Sequence, residues 1–260
     1  MKIILFMKRL INNLCWSCLT SFLERHGYGV HRLAPENTLG LKPAEQPYYE
    51  RNEYGASNLA TKQEIVKQGG PFEYPDIVNL NKAVALLIEG EMSIVEYGCG
   101  TGKFAVLASE NPARRVTASE YDKLTYEWCL THIKPRDNLR FINGPVDDTY
   151  GPFELVVAIE LVEHLKDYPS FLESCAQIAP RALITTPNRR REAKHYTVGP
   201  PLYFKHVREW TAGEFYWILK CYWDDVKLYG LTSQTEPTYI PIDVNSSLSP
   251  LIADCRMPRK

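Results

Sequence analysis

From residue 76 onward short β-branched runs alternate with stretches of helical periodicity, and this alternation limits the fold more than any other feature of the chain. The spacing predicts helices over 76–89, 102–110, 122–133 and 168–179, and strands over 93–97, 115–119, 139–142, 154–159 and 182–186. Strands separated by helices pair in parallel, because each helix returns the chain to the starting edge of the sheet. Tyr168, Phe171, Leu172, Cys175 and Ile178 share one helix face that stops before Pro180, and Thr211 with Glu214 forms a capping box for a further helix. Strands over 225–231 and 238–244 would then complete the sheet. The expected fold class is α/β: a doubly wound, seven-stranded, mostly parallel sheet with an antiparallel edge.

The rest of the 260 residues reads as appendages to this body, with residues 1–75 as an N-terminal helix and arm, 76–245 as the body and 246–260 as a C-terminal tail. Apolar residues at 10, 11, 14, 15, 18, 19 and 22 have helical spacing, but Lys8, Arg9, Asn12 and Asn13 interrupt the run before it could span a bilayer. No transmembrane segment is therefore expected, and the helix over 8–23 either docks on the body or makes a weak membrane-surface contact. Residues 28–75 hold Tyr48, Tyr49, Tyr54, Phe72 and Tyr74 without periodicity and read as a lid or arm. A net charge of −1 excludes an overall basic field for nucleic acid, so any such partner needs a local patch. Seven cysteines scattered through apolar patterns read as reduced thiols, which implies a cytoplasmic setting; Cys15 and Cys18 lack the second pair that a zinc site requires.

The first strand runs straight into VEYGCGTGKF, residues 95–104, with glycines at alternate positions. Glycine at a strand-to-helix turn lets a ligand approach the backbone. A phosphate-binding P-loop is excluded, because Tyr97 stands where it requires glycine and Phe104 where it requires Ser or Thr. A dinucleotide turn is excluded too, since Gly98, Gly100 and Gly102 follow G-x-G-x-G rather than G-x-G-x-x-G. Glu120 closes the second strand 22 residues past Gly98, where an acid accepts hydrogen bonds from a ribose diol. A nucleoside without phosphates of its own fits this set.

VEYGCGTG followed by that acid, with the later run FELVVAIELVEHL and ALITTPN, resembles the class I S-adenosylmethionine-dependent methyltransferases over roughly residues 76–232. The resemblance implies that Glu96, Gly98, Gly100 and Gly102 line the methionine and ribose side of S-adenosylmethionine, with Glu120 on the ribose hydroxyls. It places Gly144 and Val146 beside the adenine ring and Glu160 at the loop under the methionine. Many relatives carry an acid directly after the glycine equivalent to Gly144; here that position is Pro145, and Asp147 is the candidate for the adenine amino group.

Methyl transfer needs an aligned acceptor and a group that takes its proton. Glu160, Glu163 and His164 lie at i, i+3 and i+4, on one face if the strand end passes into a helical turn, and His206 lies in the insertion after the fifth strand. These four could hold Mg²⁺ or Mn²⁺, the latter more at ease with imidazole nitrogen. E-x-x-E-H with a distant H-x-x-E-W-T is similar to the small-RNA 2′-O-methyltransferases, whose metal draws the two ribose hydroxyls of an RNA 3′ end. The competing reading makes His164 a protein base or loop brace, with His206 and Glu163 beside it, as in metal-free O-methyltransferases.

Arg189, Arg190, Arg191, Lys194, Lys205 and Arg208, interleaved with Tyr196, Tyr203, Phe204 and Trp210, form a local basic patch that either meets RNA phosphates over 189–208 or is simply solvated. The first functional expectation is O-methylation of a hydroxyl on a sugar, glycan or small molecule. The alternatives are a metal-dependent RNA 3′-end 2′-O-methyltransferase and a cofactor-binding but inactive partner subunit.

Overall fold

The computed structural model of the chain describes residues 75–146, 150–192, 201, 206–233 and 236–259. The expected N-terminal helix, the Tyr-rich arm, Asp147 and the middle of the basic loop lie outside the described residues. In chain order the elements are α1 (Pro75–Leu86), β1 (Ser93–Tyr97), α2 (Lys103–Ala108), β2 (Arg115–Glu120), α3 (Lys123–His132), β3 (Leu139–Asn143) and β4 (Leu155–Ala158). A single 3₁₀ turn (Val162–His164) precedes α4 (Tyr168–Ile178), β5 (Arg181–Thr186), α5 (Arg189–Glu192), α6 (Ala212–Leu219), β6 (Trp223–Leu231), β7 (Tyr239–Pro241) and β8 (Leu251–Pro258).

The strands form one sheet in the order β3-β2-β1-β4-β5-β8-β6-β7. The first five are parallel, β8 runs antiparallel to both β5 and β6, and β7 is antiparallel to β6. Alternate residues of the central strands feed opposite faces, as the period of two demands. Ile94, Leu155, Val157 and Leu183 pack with Leu80, Val84 and Phe104 from α1 and α2. Val95, Val156, Ala158 and Ile184 pack with Leu172, Phe215 and Leu219 from α4 and α6 on the other side. Both faces are thus covered, which is the doubly wound arrangement expected from the alternation.

The chain adds β2 and β3 on one side of β1 and β4 and β5 on the other. At such a reversal the turns leaving the two central strands, here β1 and β4, diverge, and open α/β sheets take their ligands in the crevice at the strands' carboxyl ends.

Two expectations about the C-terminal third are corrected. The sheet has eight strands, because 238–244 supplies only the three-residue edge strand β7, and the segment read as a tail contains β8, inserted between β5 and β6. Leu251, Ile252, Ala253 and Cys255 are fully buried there. No helical stretch separates this run from β7, so the alternation that marked the earlier strands does not mark it.

Candidate functional site

The glycine turn occupies the carboxyl end of β1. Gly98, Gly100 and Gly102 all take left-handed φ values of 65°, 53° and 71°, which side chains rarely adopt. They need glycine for different reasons. A Cβ on Gly102 would lie 2.7 Å from Ile133 and 3.0 Å from Phe141, so this residue lets α2 close onto α3 and β3. A Cβ on Gly100 would meet nothing within 4 Å, so its bare backbone borders open space in the crevice.

Glu120 braces the turn. One carboxylate oxygen accepts the Gly100 N–H at 2.9 Å, and the other accepts the Asp122 N–H at 2.8 Å. Both bonds fix the carboxylate while leaving further lone pairs for a ligand's hydroxyls. The loop after β3 is tied to the same place: Ser119 donates its hydroxyl to the Gly144 carbonyl, and Tyr97 donates its hydroxyl to the Val146 carbonyl at 3.0 Å. Glu96, Gly98, Gly100, Gly102, Glu120, Gly144 and Val146 therefore converge on one edge of the sheet.

Glu96 is 2% exposed, and its Oε2 has no hydrogen-bond partner. Burial pushes its carboxyl well above the ordinary range, against a hydrogen bond from the Ala105 backbone that favours ionisation. A buried acceptor beside an open glycine turn can take a cationic or N–H donor from a nucleoside-like ligand.

The second half of the site follows β4. Glu160 adopts φ 49°, a costly value for a residue with a side chain. It is locked to β5: its N–H donates to Thr185 Oγ1, and that hydroxyl donates to Glu160 Oε1, both at 2.9 Å. The following residues make a single 3₁₀ turn. Glu163 and His164 lie on this turn, and Glu160 stands two residues before it.

Glu163 is fully buried, and both carboxylate oxygens lack a partner at bonding distance. Burial raises its carboxyl well above the ordinary range, and the Glu160 charge adds to the rise. His206 is brought alongside by the backbone, since the N–H groups of Val207 and Arg208 donate to the Glu163 carbonyl at 2.8 and 3.2 Å. The capping box of Thr211 and Glu214 fixes the start of α6 just beyond, and Arg189 N–H holds the Trp210 carbonyl at 2.9 Å. One ligand atom from each of Glu163, His164 and His206 lies within 4.8 Å of the other two. The imidazole rings meet edge to face at 4.9 Å, and His164 Nε2 stands 3.9 Å from Glu163 Oε1. Two imidazoles and a carboxylate make a donor set for a first-row divalent cation.

Two further residues join the site, Glu209 from the H-x-x-E-W-T motif and Arg189 from the basic patch. Glu209 accepts from His206 Nδ1 at 2.8 Å, and its other oxygen lies 3.6 Å from the Arg189 guanidinium. The signal was present in H-x-x-E, whose three-residue spacing lets an acid reach back to the imidazole. The rest of the described patch is also engaged internally. Arg190 donates to the Asn245 carbonyl, and Arg208 donates to the Tyr168 hydroxyl at 3.1 Å while lying over the Tyr168 and Trp210 rings.

A sequence model described as a methyltransferase domain matches residues 74–222, more than half of the chain. The chain belongs to this methyltransferase family. With the glycine turn it identifies an S-adenosylmethionine-dependent methyltransferase. Among solved structures, this methyltransferase is similar to the methyltransferase domain of bacterial CtHen1-C, at 17% identity and TM-score 0.54 over 70% of this chain and 100% of that one. It is also similar to the plantazolicin methyltransferase BpumL in complex with SAH, at 14% identity and TM-score 0.53 over 83% and 94% of the two chains. The N-terminal domain of EvdMO1, solved with SAH and D-fucose, gives 14% identity and TM-score 0.51 over 73% and 86%. Comparison with curated proteins gives no significant match. Among the described residues, no helix of this methyltransferase is long and apolar enough to cross a membrane.

Proposed function

We propose that this methyltransferase transfers a methyl group to the 2′-hydroxyl of an RNA 3′-terminal ribose, and that Glu163, His164 and His206 would hold a divalent cation beside the acceptor. The observation that carries the reading is the convergence of those three side chains, with a buried Glu163 whose oxygens have no other partner. A fold without use for a cation gains nothing from such a carboxylate, because an unsatisfied buried carboxyl costs about 1–3 kcal/mol. Assembly of E-H and H-x-x-E-W-T into one cluster is also what similarity to the small-RNA enzymes implies.

When bound, the cation supplies Lewis-acid polarisation of the acceptor hydroxyls. The hydroxyl so acidified would release its proton to solvent as the methyl–sulfur bond breaks and the methyl–oxygen bond forms, and the chain's own residues do the rest. Glu163 offers the negative charge and the imidazoles offer nitrogen, a mixture that suits Mn²⁺ better than Mg²⁺. Glu160 lines the boundary between this cluster and the cofactor crevice, held by Thr185. At the cofactor, Glu120 would take the ribose hydroxyls, Gly100 would admit the nucleoside to the backbone, and Glu96 would take a donor from the methionine end. Gly144 and Val146 would border adenine.

A second acceptor class, sugars and small hydroxylated molecules, is favoured by one observation: Arg189 is buried against Glu209 and Arg208 lies against Tyr168 rather than being displayed for phosphates. In that reading His164 or His206 takes the acceptor proton directly.

The test is calorimetric titration of Mn²⁺ into protein saturated with S-adenosylhomocysteine, with a Glu163→Ala, His206→Ala double variant as control. Methyl transfer is then measured to a short RNA ending in a ribose diol, to the same RNA ending in a 3′-phosphate, and to monosaccharides. Mn²⁺ binding lost in the double variant, with transfer only to the diol-ended RNA, is the expected result. Absence of Mn²⁺ binding together with transfer to sugars would overturn it and establish the second class.

A further inference from the structure

Glu209 and Arg189 form an ion pair that packing alone does not require. Glu209 is 3% exposed and Arg189 2%, and the neighbouring Trp210 and Phe215 are fully or almost fully buried. Replacing a buried ion pair by apolar residues of similar volume is often neutral or stabilising, so such a pair is weak evidence of a purely structural device. What the pair does touch is the site: Glu209 Oε1 lies 2.8 Å from His206 Nδ1, and the Arg189 guanidinium lies 3.6 Å from Oε2.

We propose that Glu209, held by Arg189, is a positioning residue that fixes His206 in the tautomer with the proton on Nδ1, so that Nε2 is the lone-pair nitrogen offered beside Glu163 and His164. A carboxylate can only accept, so the short contact to Glu209 assigns the proton of a neutral His206 to Nδ1. An imidazole used either as a metal ligand or as a base must present a bare nitrogen, and its orientation is set by the bond that the other nitrogen makes. Arg189 completes the device from two directions. Its side chain compensates the buried carboxylate, and its backbone N–H holds the Trp210 carbonyl at 2.9 Å, next to Glu209 in sequence. Asn188, the preceding residue, donates its side-chain amide to the carbonyls of Ser246 and Leu248, both at 2.9 Å, which anchors the arrangement to the segment before β8.

The inference deepens the proposed metal reading but only its second readout rests on that reading. The first readout is the His206 tautomer in metal-free, histidine-labelled protein, from long-range ¹H–¹⁵N correlations at about pH 8, above the ordinary histidine range. Wild type is expected to show a single Nδ1–H form. In Glu209→Gln the side-chain amide can donate to Nδ1, so the opposite tautomer becomes populated. The second readout is Mn²⁺ affinity, expected to fall roughly 10–100-fold in Glu209→Gln, the usual cost of losing a carboxylate behind a ligating histidine. Glu209→Asp, which keeps the acceptor charge, should recover part of that affinity.

Glutamine leaves Arg189 buried without its carboxylate, so the same spectra are recorded on Arg189→Met, Glu209→Gln, in which the pair is removed together. An unchanged Nδ1–H tautomer in both variants would overturn the proposal, whatever the metal does. A wild type with a fixed Nδ1–H tautomer that shifts in the variants, but with no Mn²⁺ binding, would sustain the positioning role and remove the metal reading instead.

Discussion

Glu96 shows how one side chain can lower stability and serve binding at once. Buried with a bare Oε2, its carboxyl lies well above the ordinary value of 4.5, so the folded protein holds a proton that the unfolded chain would release. Its favourable contribution is complete below pH 4.5 and is lost as the pH rises through the raised value. Glu96→Gln keeps the shape without the ionisation. It is therefore expected to melt higher than wild type in ligand-free protein at neutral pH, by ~2–4 °C for each kcal/mol gained. Its affinity for S-adenosylhomocysteine should fall roughly 10–100-fold, since a hydrogen bond to a charged group contributes about 1.5–3 kcal/mol. Melting curves and titration check the two signs; a variant that melts lower and binds as wild type would refute the assignment. At this scale much of the site was legible in the sequence, because VEYGCGTG, ELVEH and KHVREWT confine chemistry-bearing residues to short motifs. The pairing of Glu209 with Arg189 was not, because the two stand 20 residues apart and only the fold shows that they are buried against each other.

At the scale of elements, the sheet is fastened at the end away from the crevice by Arg181, the first residue of β5. Its guanidinium meets Asp254 of β8 at 2.8 Å, Glu91 before β1 at 2.6 Å and the Leu87 carbonyl after α1 at 2.9 Å. Burial alone would raise the Asp254 carboxyl, but hydrogen bonds and charge from Arg181 and Arg256 outweigh it and hold it below the ordinary 3.8. The pair therefore contributes fully above pH 3.8, and the contribution is lost as the pH falls through the lowered value. Arg181→Met leaves Asp254 with Arg256 alone and is expected to cost about 3–5 kcal/mol. Acid unfolding followed by tryptophan fluorescence should begin at a higher pH than in wild type, and an unchanged acid limb would show that Arg256 suffices. The elements from α1 to β5 were readable because short β-branched runs alternate there with helical periods, and α6 because Thr211 and Glu214 cap it. β8 escaped because it follows β7 without an intervening helix, outside the strand–helix alternation that marked the equally buried β4 and β5.

Over the whole molecule, the last strand to be made decides whether the site stands. β8 joins β5 to β6, and without it the five parallel strands would end in an exposed, apolar edge at β5, whose residues are all buried in the intact sheet. The segment before β8 also reaches the candidate site: Ser246 and Leu248 hold Asn188, Asn188 precedes Arg189, Arg189 meets Glu209, and Glu209 meets His206. A chain ending at Asn245 removes none of the candidate site residues, yet it is expected to lose both supports. An unpaired apolar edge of this kind promotes aggregation. The truncated chain should therefore lack a cooperative melting transition and fail to bind S-adenosylhomocysteine. The full chain, by contrast, should gain ~2.7 kcal/mol from that ligand at a hundred times its Kd, a rise of roughly 5–10 °C in Tm. Calorimetry of both chains with and without ligand checks this: a truncated protein that melts cooperatively and shifts with ligand like the full chain would show that the first five strands fold and bind alone, and that β8 is an accessory to the site and not its foundation.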